Sequence, residues 1–163
     1  MKILHNDSAE KKHADKYMNL ALEIAKKATC ARAQCGSVIV KDGVVIGVGY
    51  NSPPGNLDSQ CRCNNSKDHY HKKVTDKTCC VHAEQRAIMD ALARHPDKIK
   101  GSTLYFMRVG EDGGKSFCAM PYCTICSKMT LDSGVSEFAL LYEDGIHVYD
   151  SEEYNDVSFD YKE

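Results

Sequence analysis

Two short motifs, far apart in the chain, constrain the fold because their side chains form one chemical set only if they meet. His82 and Glu84 form a His-x-Glu motif, and Cys123 and Cys126 form a Cys-x-x-Cys motif. One imidazole and two thiolates are three of the four ligands of a tetrahedral Zn²⁺ ion, which leaves the fourth position for water. A glutamate beside the histidine is placed to move protons at that water. The motifs therefore predict a hydrolytic zinc site in which Glu84 is catalytic and His82, Cys123 and Cys126 bind the metal.

Length and composition predict one globular domain. The chain has 163 residues, of which 27% are charged and 42% are hydrophobic, and this suits a single core. We expect one domain over 1–163, with an inserted loop at 51–79 and an acidic tail at 150–163. No apolar run approaches the roughly 20 residues that span a bilayer, and the polar N-terminal segment lacks the apolar region of a signal peptide. We therefore expect a cytoplasmic protein with no membrane partner.

The charge and the cysteines exclude further classes. A net charge of -2 does not supply the basic face that tracks a nucleic-acid backbone, so we expect no nucleic-acid partner. The nine cysteines are an odd number in a chain without a signal peptide. Metal ligation and free buried thiols are therefore better explanations than a disulfide framework.

Hydrophobic periodicity predicts alternating helices and strands. A hairpin is predicted at 37–50, where Asp42-Gly43 separates two β-rich runs. The predicted helices are 9–27, 81–94 and 123–131, and the other predicted strands are 103–107, 137–142 and 146–149. This order predicts an α/β domain with helices packed against one mixed sheet. The acidic tail is predicted to be solvated and partly disordered; the alternative is packing against a neighbouring subunit through Tyr154, Phe159 or Tyr161.

Several segments carry a family resemblance. They are Cys80-Val81-His82-Ala83-Glu84, residues 35–43, Gly49-Tyr50-Asn51 and residues 28–32. Together they resemble the cytidine and deoxycytidylate deaminase superfamily, and most closely its deoxycytidylate branch. The resemblance runs over about 18–142. It implies a three-layer fold with a central mixed sheet of about five strands flanked by helices, a Zn²⁺ cofactor, a small-molecule nucleotide or nucleoside substrate, and a homo-oligomer, either a dimer or a hexamer.

The resemblance and the positions of charged and aromatic residues together suggest a set of substrate-binding residues. These are Asn51, Ala83, Tyr122, Arg108 and Arg86. Asn51 would contact the sugar or the base. Arg108 is the first candidate for a phosphate, because strand ends in α/β sheets border ligand crevices, and Arg86 is the second.

Three positions depart from the family pattern. Tyr122 separates Pro121 from Cys123, where the family has proline directly before the first cysteine. The insertion either shifts the backbone groups that meet the leaving amine or lets Tyr122 line the pocket and stack on the base. Arg86 replaces an asparagine and would meet a phosphate, an acidic partner across an interface, or a surface carboxylate. Ser52 replaces a glycine, which argues against allosteric control by nucleoside triphosphates.

The inserted loop predicts a second, structural zinc. A polar segment of this length has little apolar surface to order it, and a closed four-ligand site could supply the missing folding energy. The candidate ligands are Cys61, Cys63, His69, His71 and Cys79. Cys80 is an alternative to Cys79, since adjacent cysteines rarely bind one ion together. Free thiols and solvent-exposed histidines are the competing interpretation.

The leading functional hypothesis is zinc-dependent hydrolysis of dCMP to dUMP and ammonia. The alternatives within the same chemistry are deamination of cytidine, guanine, a modified pyrimidine or an adenosine in RNA. A non-catalytic zinc-binding interaction module is a different class, but it would not need Glu84 beside the ligand histidine. A thiol redox protein that uses Cys123 and Cys126 would leave His82 and Glu84 unexplained.

Overall fold

The protein was analysed as a computed structural model, which describes residues 1–5 and 8–162. Within these residues one mixed sheet is flanked by helices on both faces. The strands are β1 (Lys2–Leu4), β2 (Cys35–Lys41), β3 (Val44–Tyr50), β4 (Thr103–Val109), β5 (Lys115–Ser116), β6 (Glu137–Tyr142) and β7 (Gly145–Asp150). The helices are α1 (Ala9–Ala25), α2 (Ala83–Arg94), α3 (Thr124–Asp132) and α4 (Ser151–Phe159). None of the helices in the described part of the chain combines the length and the apolar character that crossing a bilayer demands.

The sheet follows the predicted α/β architecture but has more strands than expected. Its order is β1-β7-β6-β4-β2-β3, with β5 paired to β4, so the described residues form a seven-stranded sheet rather than one of about five strands. β1 and β5 have three and two residues, which is too short for a periodic signal. The pairing of β4 with β6 is parallel, and the other pairings are antiparallel.

Side chains that alternate along the strands divide the core into two layers. Val38 and Val40 of β2 pack with α1 on one face. Ile39, between them, packs with α2 on the other face, in a cluster that also includes Tyr154 of α4. The three-layer arrangement predicted from the family resemblance is therefore confirmed.

Glycines on the strands bring the helices unusually close to the sheet. A Cβ added at Gly49 would lie 2.2 Å from the carbonyl oxygen of Ala83 and 2.4 Å from the amide nitrogen of Ala87, both in α2. On the other face, a Cβ at Gly36 would lie 2.3 Å from the carbonyl oxygen of Ala21 in α1. Real Cβ atoms do not approach backbone atoms this closely. The absence of a side chain at Gly49 thus fixes how deeply the first turn of α2 lies against the sheet.

The prediction of a solvated, partly disordered tail is wrong for most of its length. Residues 151–159 form α4, and Asp150 caps it by accepting from the amide of Glu152 at 2.9 Å. The Tyr154 ring stacks on Phe138 of β6, with centroids 3.9 Å apart and planes 4° apart. Sequence periodicity missed this helix because one aromatic anchor, rather than a long apolar stripe, provides its burial.

The insertion loop (residues 51–79) folds as a series of short turns. Three 3₁₀ turns are Pro54–Asn56, Asp58–Gln60 and Lys67–His69, and most of its side chains are exposed while Cys63 is buried. Arg32 holds the loop by donating from Nε to the Cys63 carbonyl at 2.8 Å and from Nη2 to the Asn65 carbonyl at 2.7 Å. The loop is thus attached to the segment between α1 and β2.

Candidate active site

The first turns of α2 and α3 bring the two sequence motifs together. His82 is the residue before α2, and Cys123 is the residue before α3. The His82 amide donates to Oε1 of Gln85 at 2.9 Å, which fixes the start of α2. Cys126 lies in the first turn of α3 and is fully buried. Helix starts that face each other therefore carry all the predicted metal ligands.

The three ligand atoms converge at distances that suit one metal ion. Nδ1 of His82 lies 3.2 Å from Sγ of Cys126 and 3.3 Å from Sγ of Cys123, and all three atoms lie within 4.8 Å of one another. Tetrahedral zinc with its usual bond lengths separates a nitrogen and a sulfur ligand by about 3.5 Å. The donors and their spacing fit Zn²⁺ with one coordination position left over.

The electrostatics of the trio also match a metal site. A hydrogen bond from the Cys126 thiol, together with the nearby His82, lowers the pKa of Cys123 to about 4 despite its burial. The hydrogen bond to Cys123 raises the pKa of His82 to about 9. Cys123 is therefore a thiolate at neutral pH, the form that binds metals. Because zinc requires a neutral imidazole, metal binding would release the His82 proton.

Glu84 is a buried carboxyl beside these ligands. Its exposed fraction is 7%, and burial raises its pKa, an effect that the nearby His82 partly offsets. It also interacts with the Cys126 side chain. A buried carboxyl whose pKa is raised holds a proton more readily than an exposed one, which suits it to accept and return a proton. This position is suited to a proton shuttle rather than to a surface ion pair.

A single cavity of about 450 Å³ opens onto this set. That volume lies within the roughly 300–1,000 Å³ typical of small-molecule sites. His82, Glu84 and Cys123 line it. The predicted substrate-binding residues on its wall are Asn51, Ala83, Tyr122 and Arg108. The structure thus gathers residues from the segment after β3, from α2 and β4, and from the segment before α3 around one space.

Arg86 requires a correction, because it does not line the cavity. Its Nη2 atom donates to the carbonyl oxygen of Pro53 at 3.0 Å and lies 3.5 Å from that of Ser52. The structure therefore assigns Arg86 to holding the turn after β3 against α2, and its Nη2 atom contacts backbone carbonyls where a phosphate or surface carboxylate had been predicted. Sequence could not show this because the two partners are backbone carbonyls.

Asn51 is a buried residue on the cavity wall whose side chain hydrogen-bonds two backbone groups. Its Oδ1 accepts from the Cys35 amide at 2.8 Å, and its Nδ2 donates to the Ala33 carbonyl at 2.8 Å. These bonds fix the strand that enters the site and orient the amide. One lone pair and one N–H remain for a ligand.

Several cavity residues were missed by the sequence analysis. Arg32 and Lys67 add positive charge to the wall that Arg108 already lines, and Phe117, Tyr154 and Tyr161 add aromatic surface. Arg32 and Lys67 flank the cavity only because the insertion loop folds back toward the end of α1. Tyr161 belongs to the segment that was predicted to be solvated, so no sequence signal placed it here.

Two cysteine trios form a second cluster of candidate ligands. Cys30, Cys63 and Cys80 have sulfur atoms within 4.8 Å of one another, and so do Cys61, Cys63 and Cys79. We call these five residues the thiol cluster. Among the described residues, the predicted ligands His69 and His71 are in neither trio, and both are exposed. The candidate ligand set therefore changes: it gains Cys30, it includes both Cys79 and the alternative Cys80 in separate trios, and it loses the histidines.

Fold and site together define a class of protein: a three-layer α/β domain that presents a His-Cys-Cys metal set and a buried carboxyl in one cavity. Residues 11–142 match the family model described as the cytidine and deoxycytidylate deaminase zinc-binding region. The chain belongs to this family. The prediction of the family from its motifs is thereby confirmed.

The relatives found by sequence and by structure agree with this assignment. The deoxycytidylate deaminase of Saccharomyces cerevisiae is 32% identical over 74% of this chain and 35% of its own length, and that of Mycobacterium phage D29 is 26% identical over 73% and 86%. The apo structure of dCMP deaminase from cyanophage S-TIM5 has a TM-score of 0.56 and 25% identity, covering 78% of this chain and 80% of its own. The chain spans about a third of the length of the yeast relatives that it matches.

Proposed function

We propose that this protein hydrolyses dCMP to dUMP and ammonia with the aid of one zinc ion held by His82, Cys123 and Cys126. The observation that carries the proposal is the convergence of these three ligands beside the buried Glu84, in a cavity of nucleotide size. The names of the yeast and phage relatives support the choice of substrate. A non-catalytic zinc module would not account for a buried carboxyl facing a ligand cavity.

The chemistry requires water to add to C4 of the pyrimidine and ammonia to leave. Bound zinc supplies a water of lowered pKa and a Lewis acid at this position. Glu84 would accept one proton from the attacking water and pass it to the ring nitrogen N3. It would then carry the second proton of that water, from the new C4 hydroxyl, to the amine, so that the C4–N bond breaks, ammonia leaves and a C4 carbonyl forms. Ala83 and Asn51 on the cavity wall would hold the base and sugar. The surrounding burial excludes bulk water and strengthens these polar interactions.

The test of the proposed function is an ammonia-release assay on zinc-loaded protein. The substrates are dCMP, CMP, deoxycytidine, cytosine, guanine and an adenosine-bearing RNA. We expect dCMP to have the highest kcat/KM. A preference for deoxycytidine would show that the substrate is a nucleoside rather than a nucleotide. The absence of turnover on every substrate would refute the proposal that the protein is a deaminase.

Arg108 is the proposed phosphate ligand. It lines the cavity at the end of β4, it is exposed, and no ion pair to it is found among the described residues. We expect Arg108→Ala to raise KM for dCMP about tenfold, since a hydrogen bond to a charged group is lost, and to leave KM for deoxycytidine unchanged. Steady-state kinetics on both substrates measure this. Lys98→Ala removes an exposed cation outside the cavity and should leave both constants unchanged; an equal effect on both substrates would argue against phosphate contact.

We also propose a second, structural zinc in the thiol cluster. Sγ of Cys63 lies 3.7 Å from Sγ of Cys80, close to the roughly 3.7 Å expected between two thiolates on a tetrahedral zinc. The cluster joins the segment before β2 to the middle of the insertion loop and to its C-terminal end. A metal here would hold the loop that leads directly into His82. The two trios share Cys63, and either could supply three of the four ligands.

Cys63→Ser tests this site, because Cys63 belongs to both trios. We expect the zinc content to fall from two ions per chain to one and the Tm to drop by several degrees, since a structural zinc contributes to folding free energy. Elemental analysis and calorimetry measure these. Cys118→Ser, which removes a thiol outside both trios, should keep both ions. Unchanged zinc and Tm in Cys63→Ser would rule out the second metal.

We further propose a homo-oligomer, a dimer or a hexamer, that acts in the cytoplasm. Met89 and Leu92 of α2 and Leu131 of α3 are exposed apolar side chains on the helices that carry the site, and such surfaces mark interaction sites when they are contiguous. None of the nine cysteines forms a disulfide, as expected in a reducing compartment. Light scattering on the purified protein tests the assembly, and a monomer would contradict it.

A further inference from the structure

Two exposed tyrosines from distant parts of the chain meet on the cavity wall. The rings of Tyr122 and Tyr161 have centroids 5.6 Å apart and planes 52° apart, and both residues line the cavity. Tyr122 is 65% exposed and Tyr161 is 41% exposed. Large aromatic side chains that remain this accessible while lining a cavity offer ring faces to a ligand rather than to the core.

The position of Tyr161 is fixed by the helix that precedes it. Ser127 in α3 donates to Oδ1 of Asn155 at 2.9 Å, and Ser151 donates to the Val135 carbonyl at 2.6 Å. With the stacking of Tyr154 on Phe138, these contacts bind α4 to α3 and to the sheet. Tyr161 follows the end of α4 by two residues, so the chain is held near the cavity mouth.

The two tyrosines come from separate segments of the chain. Tyr122 directly precedes Cys123 and lines the cavity, whereas Tyr161 lies beyond residues 11–142, the range of the family match. Their juxtaposition gives the cavity an aromatic wall beside Cys123.

We propose that Tyr161, together with Tyr122, forms an aromatic wall that binds the face of the substrate's pyrimidine ring and sets substrate affinity. This inference rests on the proposed deaminase function and deepens it, because it identifies a residue outside the metal set that determines substrate affinity. A planar base stacks on such rings, whereas the ribose and phosphate reach toward Arg108. Tyr161 acts in binding, and proton transfer remains with Glu84.

The test compares Tyr161→Ala with Tyr161→Phe and with Phe159→Ala. Phe159 is a matched control, since it is a 62% exposed aromatic of the same segment that does not line the cavity. We expect Tyr161→Ala to raise KM for dCMP about tenfold, as loss of one base–aromatic stack does, while kcat and Tm stay close to wild type. Tyr161→Phe keeps the ring and should restore most of the affinity, and Phe159→Ala should match wild type.

The double variant Tyr122→Ala/Tyr161→Ala completes the experiment. If the rings form one wall, its KM rises by less than the product of the two single effects. Unchanged KM in Tyr161→Ala, or an equal rise in Phe159→Ala, would overturn the proposal. If Tyr161→Ala lowers Tm, a variant truncated after Asp160 is measured in its place. The expected result is again a rise in KM for dCMP with kcat and Tm close to wild type. Turnover of dCMP by the wild-type protein tests the proposed function independently of the aromatic wall. If the ammonia-release assay identifies another nucleotide as the substrate, the KM of each variant relative to wild type is measured with that nucleotide.

Discussion

Glu84→Gln is expected to lower kcat by about 10²–10⁴, the usual contribution of a positioned general acid–base group, while zinc content stays the same. The amide has nearly the shape of the carboxyl but cannot carry protons between water, ring nitrogen and leaving amine. KM should change little, because the cavity wall that holds the substrate is intact. Stopped-time ammonia assays on the zinc-loaded variant give kcat and KM separately.

The stability of this variant provides an internal check. Burial raises the pKa of Glu84, which means that the folded protein disfavours its charged form relative to water. A neutral glutamine avoids that cost, so Tm should equal or exceed the wild-type value. Glu111→Gln removes an exposed carboxyl in the turn after β4 and should leave kcat unchanged. A Glu84→Gln protein with wild-type kcat would show that another group moves the protons.

Gly49→Val is expected to destabilise the protein strongly, because an added side chain would overlap the backbone of α2. Its Cβ would lie 2.2 Å from the Ala83 carbonyl oxygen and 2.8 Å from Cβ of Arg86, so the first turn of α2 must move away from β3. Overpacking of this kind costs typically 1–3 kcal/mol, and more where backbone must shift. We expect a loss of at least about 3 kcal/mol of unfolding free energy, measured by urea denaturation.

The same change should impair the site. α2 begins directly after His82 and carries Glu84 in its first turn, so a displaced α2 carries both away from Cys123 and Cys126. Zinc retention during dialysis against a chelator should therefore fall together with kcat. Gly114→Ala is a suitable control, because the nearest neighbour of its added Cβ is a flexible Asp112 side chain at 3.1 Å, and it should cost less than about 1 kcal/mol. Wild-type stability in Gly49→Val would contradict the close packing of α2 on β3.

The sequence by itself determined the chemistry and the order of the main elements. The trio His82, Cys123 and Cys126 and the neighbouring Glu84 could be selected as candidates from the sequence because zinc chemistry limits the residue types and their local spacing, and the structure brings the trio together. The strand at Glu137–Tyr142 was predicted at its observed bounds. These features depend on residues that are close together in the chain, so they can be recognised from the sequence alone.

Only the tertiary structure decided what surrounds that chemistry. It assigned Arg86 to the carbonyls of Ser52 and Pro53, moved Cys30 and Cys80 into the thiol cluster, and folded the acidic tail into α4. Each of these outcomes depends on contacts between segments that are distant in sequence or on backbone groups that any residue carries. Tyr161 shows the reason most clearly: its approach to Tyr122 arises from the packing of α4 on the sheet, because residue type and spacing specify a side chain's chemistry while three-dimensional packing selects its neighbours.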